Sequence, residues 1–405
     1  MEGFDLTTKQ LEGLKTIIDR YKKKERYTVI AGYAGTGKTT LVKYAIQALG
    51  LNPYEDVGYA APTGRAALVM QNMGNENATT IHRLLFDWFP RSNGKFYRKR
   101  KDWLPYKVAV VDEVSMINQE FIDDLLRHKE TYCIFLGDPF QLPSIDRDAN
   151  HLLDEPHVFL TEIMRQGKDN DIPDMTIGIR EGRGLPDTDG KNYKILTADQ
   201  AVDGLFGWAD QVICATNATR HELNKVISAY HGFTPGTIEE GQKVICLRNY
   251  WDLISIDGQP LVNGTIGTIE NIREEDVPIA KRFGAPVESV PHVIANLAVD
   301  DDYFMNLHFD KNELLTGVPT IEDGWLRGTI DKWYSGEYAM AHGLKNPIPL
   351  SGELGWAITC HKAQGSQYNK VLVYEEKFPF NKTEHSRWVY TAATRPTDKL
   401  VVVRL

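Results

Sequence analysis

The chain has 405 residues, 42% of them hydrophobic and 25% charged, with a formal net charge of -9 at pH 7. That length exceeds what one hydrophobic core normally supports, so two or more domains of an ordinary globular protein are expected. The acidic balance argues against indiscriminate coating of nucleic acid but leaves room for a local basic track, and neither a signal-peptide pattern at MEGFDLTTKQLEGLK nor a bilayer-length apolar run is seen.

From about Thr7 to Leu160, strand-like and helix-like segments alternate, the pattern of an α/β core on a parallel sheet. The β-branched run Tyr27–Ala31 predicts a buried strand, and Thr40 to Leu49 predicts a helix. Between them Gly32-Tyr33-Ala34-Gly35-Thr36-Gly37-Lys38-Thr39-Thr40 fits G-x-x-x-x-G-K-[ST], a loop that wraps the phosphates of a nucleoside triphosphate. Glycines let the backbone turn tightly, so the N–H groups from Gly35 through Thr40 can point at anionic oxygens. Lys38 is expected to reach the outer phosphates, and Thr39 to offer its hydroxyl to Mg²⁺. The start of the following helix adds a favourable dipole.

Further strands are expected at Val57–Ala61, Val108–Val111 and Tyr132–Leu136. Asp87–Lys107 breaks the rhythm: Trp88, Phe89, Phe96, Tyr97 and Trp103 interleave with Arg91, Lys95, Arg98, Lys99, Arg100 and Lys101, around an Asn93-Gly94 turn signal. From Arg91 to Lys107, seven basic residues face one acid, Asp102, a local +6. A small β-hairpin on which bases stack while cations track phosphates is one reading, and a solvated charged loop is the other. The strand Val108–Val111 runs into Asp112 and Glu113, which suits metal-dependent nucleotide hydrolysis: Asp112 would hold Mg²⁺ and Glu113 would orient or deprotonate the attacking water. Tyr132–Leu136 runs into Gly137-Asp138-Pro139-Phe140-Gln141, which puts the Gln141 amide at the carboxyl edge of the sheet, where it can bond the terminal phosphate or the attacking water.

Gly182–Gly190 reads as a linker. A second α/β unit begins with the strand Gln211–Ala215 and the helix Asn217–Tyr230, capped by Thr216 or Asn217. From Gly241 to about Gly355 the pattern is β, with strands at Lys243–Leu247, Gly264–Ile272 and Val293–Val299, as in a small barrel-like insertion. Its later part holds Trp325, Trp333 and Tyr334. The α/β pattern resumes at Trp356, with strands near Lys370–Tyr374 and Lys399–Arg404. Cys133, Cys214, Cys246 and Cys360 lie far apart in apolar segments and read as reduced core residues of an intracellular protein.

These motifs, in this order, resemble the superfamily 1 helicases, and within them the RecD- and Dda-like group that moves 5′ to 3′; the likeness runs nearly end to end. It is carried further by Leu6-Thr7-Thr8-Lys9-Gln10, Ala61-Pro62-Thr63-Gly64-Arg65-Ala66-Ala67, Thr80-Ile81-His82-Arg83-Leu84-Leu85, Leu160-Thr161-Glu162-Ile163-Met164-Arg165-Gln166, Ile213-Cys214-Ala215-Thr216-Asn217, Ile358-Thr359-Cys360-His361-Lys362-Ala363-Gln364-Gly365-Ser366 and Tyr390-Thr391-Ala392-Ala393-Thr394-Arg395. The resemblance implies two RecA-like P-loop motor domains, 1–85 with 108–185 and 186–242 with 352–405. A β-hairpin pin at 86–107 would interrupt the first, and an SH3-like β-barrel at 243–351 the second. It implies ATP and Mg²⁺ as cofactors, Gln10 reading adenine, Gly365 and Gln367 at the nucleotide, and Arg165 and Arg395 at the γ-phosphate, joining Lys38, Asp112, Glu113 and Gln141 in catalysis. Pro62, Thr63, His82, Thr359 and His361 would contact single-stranded DNA, and Phe96 or Tyr97 would meet the fork.

A monomer working on single strands and on single-strand/duplex junctions follows from the same likeness. So does the interior of a bacterial or phage-infected cell, with single-strand-binding or replisome proteins as candidate partners and roles in replication or repair. Two positions depart from the pattern. Gln367 stands where relatives carry Glu, which puts a carboxylate grip on the ribose in doubt, and Pro396 follows Arg395 where Ala or Gly is more usual. An RNA helicase of the same superfamily and a non-catalytic single-strand-binding module stay open as alternatives.

Overall fold

The computed structural model describes residues 6–90, 96–143, 150–164, 170–279, 288–320, 349–377 and 381–405. Its contacts divide the chain into two compact units, one of residues up to Asp87, Lys99–Val202 and Ala363–Leu405, the other of Trp88–Arg98 and Asp203–Lys362.

The first unit is built on a parallel sheet whose strands run in the order Thr79–Thr80, Val57–Ala61, Val108–Val111, Tyr132–Gly137, Tyr27–Gly32, Val158–Leu160. Every residue of Val108–Val111 and of Tyr132–Gly137 is buried. That explains why these strands read as unbroken apolar runs: helices cover both faces of a parallel sheet. Val29, Val111, Phe135, Ile122 and Leu125 share one apolar core. Because the strands are parallel, their carboxyl ends share one edge, and the phosphate loop, Asp112 and Gln141 all follow such ends. Helices α1 (Thr8–Lys22), α2 (Lys38–Ala48) and α3 (Gly64–Asn72) belong to this unit.

The same unit contains three further parallel strands, Tyr193–Thr197 beside Pro396–Arg404 beside Tyr368–Glu375. Pro396, one of the departures from the family pattern, opens its strand, a position where a missing N–H is tolerated. The helix Lys382–Ala393 ties this segment to the first sheet. Tyr390 donates its hydroxyl to the buried Asp138 at 2.7 Å, Leu142 N–H bonds Thr391 Oγ1 at 2.9 Å, and Gln364 Nε2 bonds the Leu142 carbonyl at 3.0 Å. These bonds account for the compact division: 363–405 packs with the residues around the first sheet, whereas sequence order places it after the β insertion.

In the second unit Gln211–Cys214 pairs in parallel with Ala357–Thr359. The helix Asn217–Tyr230 starts where expected, with Thr216 Oγ1 accepting the Thr219 N–H at 3.2 Å. The β-rich stretch is an antiparallel sheet in the order Asp302–Asp310, Glu288–Val299, Ile266–Ile279, Lys243–Cys246, Gly352–Leu354, over a core that includes Val244, Phe304 and Phe309. Phe86–Pro90 and Phe96–Arg100 form a separate two-stranded sheet. Asn93, Gly94, Trp325, Trp333 and Tyr334 lie outside the described residues. All four cysteines are buried and free, and among the described residues no helix is long and apolar enough to cross a membrane.

Candidate nucleotide and strand sites

Gly35, Thr36, Gly37, Lys38, Thr39, Thr40, Asp112, Glu113, Gln141, Gly365, Gln367 and Arg395 all line one cleft of about 500 Å³ in the first unit. Gly35 and Gly37 have φ of 79° and 75°, values that favour glycine, and Gly37 caps α2. Lys38 Nζ donates to the carbonyls of Gly32 at 2.8 Å and Tyr33 at 3.0 Å. An ammonium has three donors, so the loop holds Lys38 in place and still leaves one for a phosphate oxygen.

Thr39 Oγ1 donates to Asp112 Oδ2 at 2.8 Å, and Asp112 Oδ1 accepts the Glu113 N–H at 2.8 Å. A hydroxyl and a carboxylate side by side at a phosphate loop form a hard-oxygen donor set suited to Mg²⁺, which usually takes one or two protein groups plus phosphates and water. Gln141 is buried and lines the same cleft, and among the described residues its Oε1 has no hydrogen-bond partner.

Glu113 has φ of 51°, an uncommon conformation for a side-chain-bearing residue and one that persists only where the surroundings fix it. Loss of water around it and the neighbouring Asp112 push its carboxyl above the ordinary range, while Arg395 and Lys38 pull it back. A carboxylate poised this way beside a phosphate site is suited to taking a proton from water. Arg395 is buried and held by three acceptors, the carbonyls of Thr391 at 3.0 Å and Ser366 at 3.4 Å and Thr394 Oγ1 at 2.9 Å.

Gln10 and Arg165 are also expected at the nucleotide. Gln10 is buried outside the cleft lining. Its Oε1 accepts the Thr7 N–H at 3.0 Å in a capping box, and its Nε2 donates to the Thr36 carbonyl at 3.0 Å, so its amide braces the phosphate loop. Arg165 lies outside the described residues; just before it, the Met164 N–H bonds the Gly35 carbonyl at 2.9 Å.

The strand candidates divide between the units. In the first, Thr63 follows Pro62 at a strand end and caps α3, its Oγ1 accepting the Ala66 N–H at 3.2 Å. Acceptance leaves the hydroxyl proton for another partner. His82 packs edge-on against Phe121, with ring centroids 4.5 Å apart. In the second unit Thr359 Oγ1 accepts the Lys362 N–H at 3.4 Å, the same strand–threonine–helix arrangement. Burial lowers the affinity of His361 for a proton, so at neutral pH it presents an uncharged ring. Burial likewise brings Lys362 down to about 8, although Glu353 Oε2 lies 3.7 Å away. The backbones of Phe96 and Tyr97 lie in the two-stranded sheet; their side chains fall outside the described residues.

Comparison with known proteins matches this geometry to a family. The AAA domain model matches residues 5–197, and the UvrD-like helicase C-terminal domain model matches 354–403. The ATP-dependent DNA helicase dda of Enterobacteria phage T4 is 24% identical, over 96% of this chain and 97% of its own. The RecBCD enzyme subunit RecD of Mycolicibacterium smegmatis is 34% identical, over 93% of this chain and 68% of its own. The chain belongs to the superfamily 1 helicases, in the group of RecD and Dda. A crystal structure of Pif1 helicase from Candida albicans superposes with a TM-score of 0.56 at 19% identity, covering 99% of this chain and 94% of that one, and so shares the α/β fold.

Within this helicase family member, three supporting residues escaped sequence reasoning in their roles. Asn224 holds the strand that leads to Thr359 through both backbone groups of one residue: its Nδ2 donates to the Ala357 carbonyl at 3.0 Å and its Oδ1 accepts the Ala357 N–H at 2.9 Å. Asp138 and Tyr390 fix the loop that carries Gln141. Their partners are distant in sequence, so only the fold reveals them.

Proposed function

We propose that this protein is a 5′-to-3′ DNA motor that uses ATP and Mg²⁺ to translocate on single-stranded DNA and unwind duplex. That it is an ATP-dependent DNA helicase follows from its family; direction, cofactor placement and site roles are our reading. The observation that carries it is the single cleft gathering Lys38, Thr39, Asp112, Glu113, Gln141 and Arg395.

Thr39 and Asp112 would hold Mg²⁺, which when bound offsets phosphate charge. Lys38 and Arg395, joined by Arg165, hold the outer phosphates and meet charge that develops on the transferred group. Glu113 takes the proton of the attacking water, and Gln141 orients that water through its unmet acceptor. Pro62, Thr63, His82, Thr359 and His361 contact the strand's phosphates and sugars, which gives binding without sequence preference. Two RecA-like motor domains with the expected boundaries, a pin at 86–107 presenting Phe96 or Tyr97 to the fork, and an SH3-like insertion at 243–351 complete the reading. We assign it a monomeric working form inside a bacterial or phage-infected cell, at junctions shared with single-strand-binding or replisome proteins. Opening a base-pair step costs roughly 1.4 kcal/mol, within reach of ATP turnover.

The test is ATP turnover with and without matched DNA and RNA strands. Stimulation by DNA of about tenfold or more, with little by RNA, is expected for this motor. Equal or greater stimulation by RNA would make it an RNA helicase, and no strand-dependent turnover at all would reduce it to a binding module.

A further inference from the structure

Arg65 is the second residue of α3, two positions after Thr63, and its half-buried side chain lines the nucleotide cleft. Among the described residues it makes no hydrogen bond and no ion pair. Three other buried or partly buried arginines show the usual arrangement: Arg220 meets Glu353 at 2.7 Å, Arg100 meets Asp124 at 2.6 Å, and Arg395 has its three acceptors. A guanidinium drawn partly out of water without an anion is unfavourable, and the first turn of a helix, with its positive dipole end, is a poor place for a cation. Both penalties are relieved if an anion sits beside Arg65.

The neighbouring wall narrows what that anion is. Gly365 has φ of 76°, and a Cβ there would fall 2.9 Å from Ala66 Cβ, so the Gly365–Gln367 turn lies against the start of α3. Arg65 and Arg395 both line this cleft, so two cations share it with Lys38. That wall and the phosphate loop enclose the same cleft.

We infer that Arg65 binds an anionic oxygen of the nucleoside triphosphate, a cation beyond Lys38, Arg165 and Arg395. The inference rests on the reading of the cleft as an ATP site. Since Thr63 caps α3, the start of one short helix then carries a proposed strand contact and a nucleotide contact two residues apart. A phosphate of the DNA strand has the same chemistry as a nucleotide phosphate, so the test must separate the two sources.

Full-length Arg65→Ala and Arg65→Lys would be titrated with a non-hydrolysable ATP analogue plus Mg²⁺ in the absence of DNA, and with oligothymidylate in the absence of nucleotide, at one fixed salt concentration. Arg65→Ala is expected to weaken the analogue about tenfold, Arg65→Lys to recover part of that, and oligothymidylate affinity to stay within about twofold. Because Arg65 makes no hydrogen bond or ion pair among the described residues, the melting temperature without nucleotide should hold or rise. Unchanged analogue affinity overturns the inference: weakened oligothymidylate binding would then assign Arg65 to the strand, and no change in either would make it a surface charge. Lys38→Ala, measured alongside, must weaken the analogue; if it does not, the ATP reading of the cleft fails rather than the role of Arg65.

Discussion

Replacing Glu113 with glutamine should slow strand-stimulated ATP hydrolysis by about a thousandfold and leave ATP binding nearly intact. Glutamine keeps the size of the side chain and leaves the 2.8 Å bond from the backbone N–H of residue 113 to Asp112, so the proposed Mg²⁺ donors stay in place. What is lost is the group proposed to accept the water's proton. The pH dependence gives a second readout. Burial and Asp112 raise the Glu113 carboxyl above the ordinary range. A carboxyl raised in the fold binds its proton more tightly there than in the unfolded chain, so its ionisation lowers stability as pH rises through the folded-state value. At neutral pH that penalty is in force. Glu113→Gln removes it, and the nucleotide-free protein should melt at a higher temperature than the parent. In the parent, kcat/KM should fall on the acid side at a pH above that of an ordinary carboxylate. Normal turnover in the variant would overturn the role of Glu113 as base.

Lys38→Ala should abolish measurable hydrolysis, a loss of about a thousandfold or more, and here ATP binding weakens as well. The side chain does two jobs in the structure. It bridges the Gly32 and Tyr33 carbonyls, and in the proposed mechanism its charge meets the nucleotide's outer phosphates. Losing the two bonds costs about 1 kcal/mol of local order each, which is not enough to unfold the unit. Oligothymidylate binding without nucleotide should therefore stay within about threefold. Lys38→Arg should not rescue turnover, since a planar guanidinium cannot sit as a compact point charge between two carbonyls. Turnover that survives Lys38→Ala would remove the phosphate loop from the mechanism.

The parts of this site that were legible in the sequence are those whose chemistry is local. The phosphate loop, the strand Val108–Val111 running into Asp112 and Glu113, and the Thr216 cap each depend on neighbours within a few residues. The strand Ile266–Ile279 shows the opposite case. Sequence reading stops it at Ile272, because Arg273, Glu274, Glu275, Asp276 and Pro278 have low strand propensity. Pairing along Glu288–Val299, with Arg273 opposite Ile294 and Val277 opposite Val290, carries the backbone on regardless. Gln10 was legible as a motif residue but not in its contacts, since its two amide bonds depend on the loop folding back onto α1. The grouping of 363–405 with the first sheet hangs on Tyr390, Thr391 and Gln364 meeting Asp138 and Leu142, residues more than two hundred positions apart. No local pattern announces such a bond.

The most direct measurement is unwinding of matched DNA duplexes that carry either a 5′ or a 3′ single-stranded tail, with ATP and Mg²⁺. The 5′-tailed duplex should open and the 3′-tailed one should not, and Lys38→Ala should open neither. Opening of the 3′-tailed duplex alone would contradict the direction proposed here, and failure to open either while ATP is hydrolysed would contradict the assignment of this protein as a DNA-unwinding motor.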